Sequence, residues 1–387
     1  MDSSAVGSSL LLKNCRIYSP MPGKGRRDIL VVRGKIARIS KNIPATKNIA
    51  SIDCKGKIVA PGFIDVHIQG AGGGDVISAK REDLIKVSKT LARTGVTGYL
   101  ATTVVTGRKN YSHLKAIADF TKENYPASKI LGIHLEGPFI NVKKKGMIRE
   151  ENILRPSLKL LKNIIKAAQG RLKMMTIAPE IKGAIRLIKE LKKNRIIASI
   201  GHTLSSYKDA EEGVKAGITH ATHLFNAMPG MLHRAPGALA AIFLNKTVFA
   251  QVISDGVHIN PAILRIIYRL LGKDRIVLIT DGMAPIGLKD GKYIYNKLSY
   301  KCVGGACYYG DGTLIGAALP LNKIAFRMMK FTGAPFHEVL QMATLNPAKA
   351  INCHSKGVIS KGKDADLIVI DKNFNIYHTI VNGNLVN

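Results

Sequence analysis

Tryptophan is absent from this 387-residue chain, cysteine is scarce at five, and acidic residues number 26 against 58 lysines and arginines. The missing tryptophan removes one anchor type and decides nothing about function. No run of ~18 or more apolar residues occurs, which argues against a membrane-spanning helix. The opening stretch, MDSSAVGSSLLLKNCRIYS, offers only three consecutive leucines and no basic start. That is short of the ~7–15 apolar residues of a signal-peptide core, so no secretory leader is expected. The cysteines Cys15, Cys54, Cys302, Cys307 and Cys353 are odd in number and include no C-x-x-C pair. Free thiols in a reducing cytoplasm are the expectation.

The shortage of acid leaves a formal net charge of +32. A charge of that size first suggests nucleic-acid binding. The lysines are scattered, however, with short runs only at Lys143 to Lys145 and Lys192 to Lys193. No aromatic residues interleave them as stacking platforms would require. A lysine-rich surface that serves neither nucleic acid nor membrane is therefore expected, and such a surface can still speed the capture of an anionic substrate by steering it.

A hydrophobic fraction of 46% leaves ample material for a core. Short alternating segments open the chain at Ser9 to Ile17, Asp28 to Val32, Lys35 to Ser40 and Ile49 to Asp53. The same pattern returns at Ala365 to Asp371 and Ile376 to Val381, so residues 1–60 and 356–387 read as one small β unit. Between them, over 61–355, lie apolar β-branched segments suited to strands buried on both faces. They are Phe63 to Val66, Gly98 to Val105, Ile130 to Leu135, Lys173 to Ala178, Arg195 to Ile200, Ile218 to Leu224, Val248 to Ile253 and Arg275 to Thr280. Helical periodicity fills most of the gaps, clearest at Arg81 to Arg93, Ser112 to Lys122, Ser157 to Ala168, Lys182 to Lys193 and Ser205 to Ala216. Pro261 to Leu271, Lys323 to Lys330 and Pro335 to Leu345 continue the series, and Gly291 to Asp311 reads as a hairpin excursion. Alternating strands and helices in this number predict a closed α/β (β/α)₈ TIM-type barrel. An open doubly wound sheet is the alternative, but no strand is followed by a G-x-G-x-x-G turn.

Catalytic groups in such a barrel sit where strands end. Here those ends carry His67, Glu136, His202, His223 and Asp281. Glu136, His202 and His223 make a two-histidine, one-carboxylate set suited to a divalent metal with an open position for water; Zn²⁺ and Fe²⁺ both accept it. Asp281, beside such a metal, is placed to act as general base. His220 and His223, three apart, are expected to face opposite ways, with only His223 looking into the barrel. His134, two before Glu136, is expected one layer deeper as support. The glycine-rich stretch Gly70 to Gly74 lacks the lysine of a phosphate loop and reads as a flexible rim.

The segments PGFIDVHIQG, GIHLEGPFIN, SIGHT, THATHLFNAMPG, HRAPG, SDGVHIN, TDGMAPIG, DGTLIGA, NPAKA and KGKDADLIVID follow in order along the chain. With them the sequence resembles the amidohydrolase superfamily and, within it, the N-acetylglucosamine-6-phosphate deacetylases. HLEGP, THLFNAMP and HRAPG are the specific motifs; DADLIVID is shared more widely. The resemblance implies a barrel with a small terminal β-sandwich, a homodimer, and a cytoplasmic amino-sugar enzyme releasing acetate from N-acetylglucosamine 6-phosphate. A related substrate such as N-acetylgalactosamine 6-phosphate is the alternative. It makes Glu136, His202 and His223 the ligands of one divalent metal, Zn²⁺ or Fe²⁺, and Asp281 the catalytic acid and base. It places Asn226 and Ala227 against the sugar phosphate. Arg234 and His258 become the phosphate pair, with Arg234 reaching across the dimer.

Two departures stand out. The strand-one H-x-H of many relatives is His67-x-Gln69 here, which argues against a complete second metal site and leaves His67 a supporting or occasional ligand. Ile148 stands where relatives often carry a carbonyl-polarising histidine, and the loss of such a donor costs ~2.7–4 kcal/mol unless another group replaces it.

Overall fold

A computed structural model describes residues 9–107, 111–123 and 125–386. The first eight residues of the opening stretch lie outside it. Among the described residues no helix is long and apolar enough to cross a membrane.

Eight parallel strands stand side by side in chain order. They are Phe63–Ile68, Val96–Thr103, Lys129–Glu136, Leu172–Ile177, Ile197–Ile200, Ile218–Ala221, Phe249–Val252 and Ile276–Leu278. The ring closes where the residues after the eighth strand meet the first: Gln69 and Gly70 donate their N–H groups to Gly282 O. Ile68 and Gly282 form a parallel bridge there. The first and second strands are buried along their whole length, as strands covered on both faces must be. This is the expected (β/α)₈ barrel.

Its helices follow the sequence pattern with two omissions, Gly237–Leu244 and the short Leu345–Ala350. Gly237–Leu244, after the sixth strand, was not expected to be helical. Its sequence, GALAAIFL, is apolar on nearly every face, so no 3.6-residue period marks it. The helix Pro261–Arg275 runs longer than expected; Asn260 caps it through Ala262 N at 2.8 Å, and Gly272 interrupts it at φ 63°.

Residues from both ends of the chain build one eight-stranded sheet. Leu10–Ile17 is its long member, pairing first with Ala50–Asp53 and then with Ile58–Pro61. Ile58–Pro61 in turn pairs antiparallel with Leu367–Ile370. Ile29, Val31 and Ile36 from one wing share a buried cluster with Leu367, Val369 and Ile380 from the other, so the sheet folds over its own core.

Three expectations need correction. The excursion after the eighth strand is a four-stranded antiparallel meander, Gly291–Tyr295, Leu298–Val303, Ala306–Tyr308 and Leu314–Ala317, and not a single hairpin. Within it Cys302 and Cys307 are joined as a disulfide, so the five cysteines are not all free thiols. They are directly opposed across the tight Gly304-Gly305 turn, a pairing that their four-residue spacing hides. Cys15, Cys54 and Cys353 are free. Finally, Gly70 to Gly74 is a packed support and no flexible rim. Gly70–Ala71 pairs with Gly74–Asp75, and a Cβ on Gly70 would fall 2.7 Å from Ala284 N and from Gly74 O.

Candidate metal centre and substrate cavity

The carboxylate of Glu136, the last residue of the third strand, points into the barrel mouth and is buried. His202 lies two residues past the fifth strand and His223 two past the sixth. Their backbones take left-handed φ values of 49° and 25°, which turn the imidazoles back over the barrel axis. His202 Nε2 and His223 Nε2 approach Glu136 Oε1 at 3.0 and 3.1 Å and each other at 3.1 Å. These are the three side chains whose ligand atoms cluster within 4.8 Å in the described residues. Two imidazole nitrogens converging on one buried carboxylate oxygen is the donor set of a divalent cation. His202 Nδ1 donates to Lys144 O at 2.6 Å, which leaves Nε2 with its lone pair toward the cluster.

His67 lies beside this set, with Nε2 3.3 Å from Asp281 and 3.5 Å from Glu136, and Nδ1 3.0 Å from Gln251 Oε1. Burial alone would depress its pKa, but the carboxylates of Glu136 and Asp281 outweigh it and push it up to about 9. Gln69 donates one amide group to both Glu136 Oε2, at 3.1 Å, and Asp281 Oδ1, at 3.2 Å. Asp281 itself, three residues past the eighth strand with φ 49°, is held by its N–H on His67 O at 3.0 Å.

The supporting layer is as the alternation suggests. His134 binds Val66 O and Thr176 Oγ1 at 3.1 and 2.9 Å, below the cluster, and burial holds its pKa well down. His220 packs on Phe249 away from the site. The reason differs from the one expected: the sixth strand ends at Ala221, so the turn, and not strand alternation, separates His220 from His223.

A cavity of about 280 Å³ opens above the cluster, and Asn226, Ala227, His258 and Asp281 line it. His258 is oriented by Asp255, whose carboxylate accepts His258 Nδ1 at 2.6 Å and the N–H groups of Val257 and His258. Sequence reading missed Asp255, Lys143, Lys144 and the wall formed by Thr313, Leu314 and Ile315. The Lys143 to Lys145 run, falling just after the third strand, was the available signal for the lysines. Arg234 is exposed and lies outside the cavity of its own chain, beside exposed Met231 and Leu232. Ile148 is buried against Val104 and Ile140 and turns away from the cavity, while its neighbour Met147 lines it.

The Amidohydrolase family model matches residues 58–386. The N-acetylglucosamine-6-phosphate deacetylase of Bacillus subtilis (strain 168) is 33% identical over 386 residues, covering 98% of both chains. An N-acetylgalactosamine-6-phosphate deacetylase of Escherichia coli O157:H7 is 30% identical over 85% of this chain and 88% of its own. The crystal structure of N-acetylglucosamine-6-phosphate deacetylase from Pasteurella multocida superposes with a TM-score of 0.91 at 29% identity, covering 97% of this chain and 99% of that one. The chain thus belongs to the amidohydrolase family, in its group of N-acetylglucosamine-6-phosphate deacetylases.

Proposed function

We propose that the protein hydrolyses the acetamide of N-acetylglucosamine 6-phosphate to glucosamine 6-phosphate and acetate. The observation that carries this is the Glu136, His202 and His223 cluster with Asp281 alongside it, at the floor of a cavity lined by His258 and Lys143. One divalent cation per subunit, Zn²⁺ or Fe²⁺, fits the three ligands. Its contribution when bound is Lewis acidity, which makes water a nucleophile near pH 7 and polarises a carbonyl. Asp281 takes the proton from the attacking water and returns it to the departing nitrogen, so the C–N bond breaks to a neutral amine. Gln69, bonded to Glu136 and Asp281, keeps both carboxylates in place, and with that role it favours one metal over two. His67 supports both carboxylates from below. Asn226 and Ala227 position the sugar.

His258, fixed by Asp255, presents its second nitrogen to the phosphate, and Lys143 adds a cation. Arg234 reaches the phosphate from a second copy of the chain, which is why it stands exposed among apolar neighbours here. The protein is a cytoplasmic homodimer in this reading. Cell fractionation tests the location. In the same reading the small β unit is residues 1–60 and 356–387, of which 9–60 and 356–386 are described, and the barrel is 61–355.

The deciding experiment is acetate release by metal-loaded protein from the phosphorylated and unphosphorylated sugar, with Asp281→Asn in parallel. Release that needs the phosphate and falls about 10²- to 10⁴-fold in the variant is expected. Absence of release with either metal would sink the assignment. A second reading, the galactosamine epimer, is favoured by the Escherichia coli relative; a higher kcat/KM for N-acetylgalactosamine 6-phosphate would select it.

A further inference from the structure

Glu180 stands three residues beyond the fourth strand, in Ala178-Pro179-Glu180, and has no part in the chemistry above. Its carboxylate accepts four hydrogen bonds. Asn141 Nδ2 and Leu204 N reach Oε1 at 3.0 and 2.7 Å; Thr203 Oγ1 and Ser205 Oγ reach Oε2 at 2.6 and 2.7 Å. Asn141 belongs to the loop after the third strand, and Thr203 to Ser205 to the loop after the fifth. One side chain from the fourth loop therefore ties its two neighbours together.

What lies inside that tie is His202. Its carbonyl accepts Asn141 N at 2.9 Å, and the next residue, Thr203, donates its N–H to Ala227 O at 3.1 Å. A histidine at φ 49° persists only where its surroundings enforce it. The peptide unit that joins His202 to Thr203 is held at both its carbonyl and its N–H, and Glu180 holds the three residues that follow His202. A charged acceptor with four donors is also the strongest form such a clamp can take.

We propose that Glu180 is a positioning residue of the metal centre: it fixes the 203–205 turn so that His202 Nε2 faces Glu136. The inference rests on the metal reading of Glu136, His202 and His223. Its removal lets the turn relax from the left-handed conformation, and the nitrogen leaves the cluster. Glu180→Gln keeps an oxygen for Asn141 and Leu204. Its amide can donate to the hydroxyls of Thr203 and Ser205, which accept as readily as they donate.

The test is direct Co²⁺ binding to the metal-free full-length protein, read by dissociation constant and visible absorption spectrum. Glu180→Ala is expected to weaken binding about 10- to 100-fold and to change the spectrum. Glu180→Gln is expected to keep the parent spectrum and an affinity within a few-fold. A merely structural residue would lower the melting temperature and leave the spectrum of the bound metal alone. If Glu180→Ala does not fold, the pair Asn141→Ala and Ser205→Ala removes one donor from each carboxylate oxygen and is expected to shift affinity and spectrum the same way. Parent-like affinity and spectrum in Glu180→Ala, or in that pair, would overturn the proposal. Failure of the parent protein to bind Co²⁺ would instead bring down the metal reading and this inference with it.

Discussion

His202, His223 and Asp281 share left-handed backbone, at φ 49°, 25° and 49°. Each such residue costs about 1 to 3 kcal/mol, a cost that recurs where side chains must be aimed rather than merely packed. The residues that do the aiming are harder to read in sequence than those aimed. Glu136, His202, His223 and Asp281 were legible because strand ends in a barrel are privileged positions. Glu180 and Asp255 were not, since a carboxylate that works through another side chain leaves no spacing to recognise. Asp75 is another carboxylate with no sequence signal. Burial, reinforced by Asp83, pushes its pKa from 3.8 up to about 7. The folded state therefore binds more protons than the unfolded one between those values. Its contribution to stability is present below about pH 4 and is lost as pH rises through 7. Asp75→Asn is expected to erase that loss, so the variant's melting temperature should gain on the parent's from pH 4 to 7 and then run parallel. A constant difference across that range would refute the assignment.

Among the elements, the strands and most helices were legible because their periods are clean. The helix Gly237–Leu244 was not, being apolar all round. The meander from Gly291 to Ala317 was not either, since its strands are three to six residues long and broken by glycines. Yet it builds one wall of the cavity through Thr313 to Ile315. Tyr295, 2% exposed, anchors it in a cluster with Met147 from the third loop and Met283 from the eighth. Tyr295→Ala is expected to cost about 3 to 5 kcal/mol in chemical denaturation. It should also raise KM for the sugar phosphate more than it lowers kcat, because the wall moves while the metal ligands stay. A loss confined to kcat would mean the meander does not shape the cavity.

For the whole molecule, the composition suggested a steering surface but gave no geometry, and Arg234 shows why. In the proposed reading Arg234 completes a neighbouring copy's site, and such a role leaves no mark within a single chain, where Arg234 is exposed and away from the cavity. Co-expression of Arg234→Ala with Asp281→Asn tests this. In mixed dimers one site regains both residues, so about a quarter of parent activity is expected from two variants that are each nearly inactive. No recovery, with mixed dimers verified by mass, would place Arg234 in its own subunit's site or in none.

The joined sheet carries a consequence for how the protein is made. Ser19 and Ile359, 340 residues apart, exchange two hydrogen bonds, and Ile58–Pro61, paired along one edge with Leu10–Ile17, finds the partner for its other edge only in Leu367–Ile370. On the ribosome the early strand must wait, edge open, until Leu367–Ile370 emerges. That edge is Ile-Val-Ala-Pro, wholly buried in the finished molecule and directly followed by the first barrel strand. A message cut short near its end would thus yield a nearly complete barrel with an apolar, unpaired edge, a product fated for aggregation or chaperone capture.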